Sequence, residues 1–137
     1  CMTLQTAVNF NEYFRCYVVG QEEVHVMPYD PRAPFHERYV KSPPKYPAAL
    51  IDRVTRDSLT LCRALNYDLN TVEFAVEDGV PYAIDFMNPA PDADPHSVGP
   101  DNFAWIVEKV AAFAVKKAQE PKTPLTYRWS ALLEGRK

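Results

Sequence analysis

The sequence predicts an α+β protein: an antiparallel sheet built from two β-hairpins, with two long helices packed on one face. Three observations carry this. Apolar runs flank Gly20-Gln21, and two more flank Asp78-Gly79, each the pattern of a hairpin. Two stretches, 48–65 and 101–119, carry apolar residues at helical spacing. The resulting order is β-β-(loop)-α-β-β-α. Hairpins force antiparallel pairing, and the intervening helices cover the sheet.

The first strand is "YFRCYVV" at 13–19 and its return is "EVHVM" at 23–27. A Pro-rich span follows at 28–47, with prolines at 28, 31, 34, 43, 44 and 47. Prolines at that density exclude a regular helix or a central strand. A loop of this length in a compact domain is usually functional or mobile. The first helix, 48–65, has Leu50, Ile51, Val54, Leu61, Cys62 and Leu65 on its apolar stripe. Pro47 suits its start and Asn66 its end. Strands near 71–77 and 82–87 come next, then a polar loop at 88–100. The second helix spans about 101–119, capped by Asp101 and ended by Pro121 and Pro124. Its buried stripe reads Phe103, Ile106, Val107, Val110, Phe113 and Ala114. A short amphipathic segment, "YRWSALLEG", closes the chain. The division is therefore a domain over 1–120 and a tail over 121–137.

Composition narrows the function. The chain has 137 residues, enough for one domain, with 47% apolar and 24% charged residues. A net charge of −3 gives no basis for nonspecific nucleic-acid binding. No apolar run reaches the length of a membrane span, and no secretory leader is visible. Three cysteines without a CxxC pair argue for reduced thiols and a cytoplasmic setting, with Cys16 and Cys62 as packing residues. The opening "CMTLQTAVNF" lacks an initiator Met and runs almost at once into strand-like sequence, which suggests a piece of a longer chain.

The second hairpin, "VEFAVEDGVPYAIDFMNP", poses the functional question. One strand carries Glu73; the other carries Asp85, with Asn88 just after. A two-residue turn at Asp78-Gly79 sets Glu73 opposite Ile84 and leaves Asp85 on the other face. A three-residue loop, 78–80, pairs Glu73 with Asp85 on one face. Two adjacent carboxylates then repel unless a cation neutralises them. A bulge near Phe86-Met87 would turn Asn88 back toward them. Two carboxylates and an amide oxygen are hard ligands suited to Mg²⁺. The simpler reading makes Glu73 and Asp85 solvent-facing residues of a half-exposed sheet.

The stretch "LNYDLNTVEFAVEDGVPYAIDFMNPAPD" resembles the C-terminal lobe of the ATP-grasp superfamily, which includes glutathione synthetases and other carboxylate–amine ligases. "EYFRCYVVGQEEVHVM" is similar to that family's acid-x-Arg hairpin. The resemblance spans roughly residues 8 to 118. It implies ATP and Mg²⁺ (or Mn²⁺) as cofactors, with Glu73, Asp85 and Asn88 as metal ligands. It also implies that a small carboxylate is activated as an acylphosphate for attack by an amine. Arg15 falls on the Arg that contacts substrate or phosphate in relatives; a surface salt bridge to Glu12 or Glu23 is its structural alternative. Ile84 or Phe74 would line the adenine pocket, or simply pack the core. The spacing departs from the family: Asp-x-x-Asn replaces Glu-x-Asn. "MPYDPR" stands where relatives carry a basic residue, so Arg32 or Arg38 would substitute. The other nucleotide-gripping lobe has no counterpart here, so the implied partner is a missing N-terminal part, and the chain alone is expected to be inactive. The rival expectation is a noncatalytic interaction module that associates with a partner or with itself.

Overall fold

The computed structural model describes residue 2 and residues 4–121. The expected segment at 127–135 and nearly all of the 121–137 tail lie outside the described residues. The strands are β1 (Glu12–Val19), β2 (Glu23–Pro28), β3 (Leu69–Glu77) and β4 (Val80–Asn88). The helices are α1 (Ala48–Leu65), the single turn α2 (Pro95–Val98) and α3 (Pro100–Gln119). All four strands form one antiparallel sheet in the order β2-β1-β3-β4. The α+β class and the two hairpins are as the sequence predicts.

The helices, however, divide between the two faces. Phe14, Cys16, Val18, Val72, Phe74 and Val76 pack against Leu50, Val54 and Cys62 of α1. Tyr13, Tyr17, Val19, Met27 and Ala75 form the opposite core with Val98 and Ile106, and Phe103, Val110 and Phe113 of α3 pack against it. The cause is visible in β1, which is buried at every position from Tyr13 to Val19. A strand buried on alternating sides needs cover on both, and one helix layer cannot give it.

The predicted bounds of α1 match. Pro47 occupies its N-cap, and Asn66 ends it in the left-handed region at φ 59°. The amide is a good residue for that conformation. For α3 the cap moves: Gly99 precedes it, Pro100 takes the first position, and Asp101 sits in the first turn. Its buried stripe also shifts, because Val107 and Ala114 face solvent while Trp105 stacks on His25 of β2 at 4.7 Å. Asn102 Oδ1 lies 2.7 Å from His25 Nε2, a second tie between α3 and β2.

The Pro-rich loop has internal structure. Tyr29 bridges to Tyr39, and Phe35–Glu37 forms a 3₁₀ turn. Main-chain bonds from Asp30 N–H to Arg38 O and from Val40 N–H to Pro28 O close its base. Among the described residues, no helix is long and apolar enough to cross a membrane.

Candidate functional site

The site is built by register. Glu77 pairs with Val80, so the hairpin turn is the two-residue Asp78-Gly79. Both carry positive φ, 51° and 76°, which Asp and Gly tolerate. In a regular ladder this turn would separate Glu73 from Asp85. The ladder is not regular. Phe74 pairs with Ala83 and Glu73 with Asp85, which makes Ile84 an extra residue in β4. The pairing of the two acids thus arises from a bulge at Ile84, and not from a three-residue loop. Ala83 joins the α1-side core while Ile84 packs against the α3-side core. Each face takes one apolar side chain at the bulge.

A second irregularity follows. Thr71 pairs with Asn88, so three residues of β4 separate Asp85 from Asn88 where β3 moves only two. Opposed residues share a face, so Glu73, Asp85, Thr71 and Asn88 all lie on one. Asn70 braces this bulge from the other face: its Oδ1 accepts the Asn88 N–H (2.8 Å) and its Nδ2 donates to Phe86 O (2.9 Å).

Glu73 is held from β1. The Tyr13 hydroxyl donates to Glu73 Oε2 at 2.6 Å, and Arg15 Nε lies 3.3 Å from Oε1. Burial first, then the carboxylate it bonds, pushes the Tyr13 phenol far above its ordinary range. Arg15 is itself buried, lying across the ladder from Glu73. Its Nη1 donates to the Tyr39 hydroxyl at 2.8 Å, and its guanidinium lies 5.6 Å from the Tyr29 ring centre. Burial raises the Tyr39 phenol to about 12, against the opposing pull of Arg15. Neither Glu12 nor Glu23 partners Arg15; Glu23 pairs with Lys109.

Two buried side-chain polar atoms lack a hydrogen-bond partner among the described residues: Arg15 Nε and Thr71 Oγ1. Both flank Glu73 on the same face. Arg15 Nε keeps its ion-pair contact with Glu73, so Thr71 Oγ1 is the one left to explain; unsatisfied buried groups are rare. Asp85 is exposed, and among the described residues no lysine or arginine pairs with it. No group of three or more His, Cys, Asp or Glu gathers there. The donor set is two carboxylates and an amide, all hard oxygen, which fits Mg²⁺ or Mn²⁺ in an open site.

The remaining predicted residues separate. Ile84 lines an apolar cavity of about 380 Å³ with Val8, Phe10, Ala75 and Tyr13, the last of which also bonds Glu73. Phe74 lies in the α1-side core, on the face away from the carboxylates; core packing is the role it has. Arg32 pairs with Asp30 and stacks over Phe10, and Arg38 bonds Ala33 O, so both serve the Pro-rich loop. His36 and His96 line a cavity of about 560 Å³ between that loop and α2, with Tyr39, Lys41 and Ser97. Asp92 and Asp94 are used locally: Asp92 accepts from Ser97, and Asp94 caps α2 through the His96 N–H.

Sequence reasoning missed Tyr13, Tyr39, Asn70 and Thr71. Tyr13 lies two residues before Arg15 and so on the same face, a signal that period-2 reading could have used. Asn70 and Thr71 are polar residues entering a strand that is otherwise apolar. Tyr39 carries no local signal, because a loop closure brings it in.

No family model and no curated protein sequence matches the chain. Solved structures do. D-alanine–D-alanine ligase from Bacillus anthracis complexed with ATP matches with a TM-score of 0.58 and 22% identity, over 77% of this chain and 38% of that one. A second structure of the ligase from the same organism gives 0.56 and 20%, over 77% and 40%. The chain thus spans about two fifths of the length of the ligase chains it matches. The likeness assigns the fold, that of an ATP-grasp-like lobe.

Proposed function

We propose that this chain forms one wall of the Mg²⁺–ATP site of an ATP-grasp carboxylate–amine ligase. The observation that supports it is the doubly bulged register of β4, which gathers Glu73, Asp85 and Asn88 on one face. Those three residues would hold the cation. When bound, a divalent ion there offsets charge on phosphate oxygens.

The chain's own residues do the positioning. Tyr13 and Arg15 fix the Glu73 carboxylate. Arg15, a planar fork of donors tied to Glu73 through Nε and to Tyr39 through Nη1, would offer its remaining N–H groups to a phosphate or carboxylate oxygen. The apolar cavity at Ile84 is the slot for adenine. The cavity shared by Tyr39 and Lys41 receives the small carboxylate or amine. In the reaction, a carboxylate oxygen attacks the γ-phosphorus and ADP leaves. The amine then attacks the acylphosphate carbonyl and phosphate leaves. Both steps rest on alignment and charge stabilisation more than on protein nucleophiles. The second lobe belongs to a further part of the polypeptide, without which this chain binds nucleotide weakly and turns nothing over. ATP as co-substrate and two buried free thiols fit the cytoplasm.

Titration of ATP with and without Mg²⁺ tests the reading. Binding depends on the metal, and Glu73→Ala or Asp85→Ala each weakens it by at least about tenfold. Indifference to both changes sinks the ligase reading. It favours instead an interaction module using the outer edge of β4, where Val80, Tyr82 and Met87 are exposed.

A further inference from the structure

Asn70 has no part in the site's face, yet it is fully buried beneath α1. A primary amide in an apolar core is costly unless its hydrogen-bonding groups are used. Here they are. Oδ1 accepts the Asn88 N–H at 2.8 Å, and Nδ2 donates to Phe86 O at 2.9 Å and toward Cys62 Sγ at 3.4 Å. The two main-chain partners stand on either side of Met87, inside the stretch where β4 carries one residue more than β3. A bulge leaves main-chain groups without ladder partners. Asn70 supplies both missing partners from one side chain.

We infer that Asn70 is a positioning residue for Asn88. It holds the second bulge of β4 in place and so turns the Asn88 amide toward Glu73 and Asp85. Without that clamp, β4 relaxes toward strict alternation, and a residue three beyond Asp85 turns to the opposite face. The inference rests on reading these three residues as cation ligands, but its structural half can be tested apart from that reading.

Two measurements decide it. The first is Mn²⁺ binding, with ATP present, to the full chain and to Asn70→Leu, Asn88→Ala and the double variant. Leucine keeps the branched shape, though it is larger, and can make neither bond. Asn70→Leu is expected to weaken Mn²⁺ by about tenfold, and to add nothing further in the Asn88→Ala background. An equal loss in both backgrounds, or no loss where Asn88→Ala itself weakens binding, overturns the inference. The second is amide hydrogen exchange at Asn88. Its N–H exchanges slowly in the unaltered chain and at near-solvent rates in Asn70→Leu, while Val72 and Phe74 keep their protection. Rapid exchange in the unaltered chain overturns the inference, and this arm stands even if Asn70→Leu does not fold. If Asn88→Ala, Glu73→Ala and Asp85→Ala all leave Mn²⁺ binding unchanged, the ligase reading is what fails. The exchange result then decides the clamp alone.

Discussion

The two hairpins are made of similar residues and built to different rules. The β1–β2 ladder runs without a shift from Val19↔Glu23 to Phe14↔Pro28. The β3–β4 ladder shifts twice within one strand. A regular strand offers every second side chain to a given face. Between residues 84 and 88, β4 directs Ile84, Asp85 and Asn88 to the same one. The regular hairpin gives a rigid floor from which Tyr13 and Arg15 reach across. The irregular one aims the groups that this floor supports. The difference teaches that register faults gather polar side chains on one face where alternation would scatter them.

The largest effect should come from breaking what the hairpins share. Phe14 lies on the central strand β1, fully buried and edge-on to Tyr46. Phe14→Ala is expected to cost about 3–5 kcal/mol in urea unfolding, with both hairpins lost in one transition. Next is the turn of the regular hairpin. Gly20 sits at φ +64°, and a Cβ there would come within 2.8 Å of the Phe113 ring. Strain and clash together set Gly20→Ala at about 2 kcal/mol by thermal melting, with α3 loosened.

Tyr13→Phe ranks third. It strips a donor from Glu73 Oε2 and is expected to cost about 1–2 kcal/mol by the same melt. It should also blunt the alkaline limb of stability. Tyr13 and Tyr39 have raised phenol pKa values, Tyr39 about 12, so the folded state holds protons that the unfolded chain releases near 10. Both contributions are complete below about pH 10; that of Tyr39 is lost as pH climbs through about 12, and that of Tyr13 goes on falling above it. Urea midpoints measured across that window read the loss directly. The smallest effect falls at the other turn. Gly79, at φ +76°, has open space around it, so Gly79→Ala costs only about 1 kcal/mol of backbone strain. If Gly20→Ala and Gly79→Ala prove equal, the packing of α3 against the first turn is not what distinguishes them.

The sequence disclosed the elements better than their alignment. Residues 48–65 were readable to both ends, because a Pro start, an Asn stop and a helical period agree. The three candidate oxygen donors could be nominated because two acids and an amide are conspicuous in an apolar hairpin. The route that joins them could not. The bulge at Ile84 exists because Ala83 and Ile84 each find a separate core, and neither core is local to the hairpin. The partner of Arg15 was equally hidden. Glu73 lies across the sheet and Tyr39 arrives by loop closure, whereas Glu12 and Glu23 were merely near in sequence. The burial of β1 on both faces was written in an apolar run interrupted only by Arg15, yet hairpin order alone suggested helices on a single side.

Cys16, sealed between the sheet and α1, has a consequence of its own. Burial drives its thiol up to about 12, so at neutral pH it carries almost no thiolate, the species that reacts. An alkylating reagent can reach it only when the layers part. Mass tagging of that one sulfur, located by peptide mapping, therefore clocks how often the lobe comes undone, with no denaturant added. Any companion domain or nucleotide that grips the folded form would slow that clock.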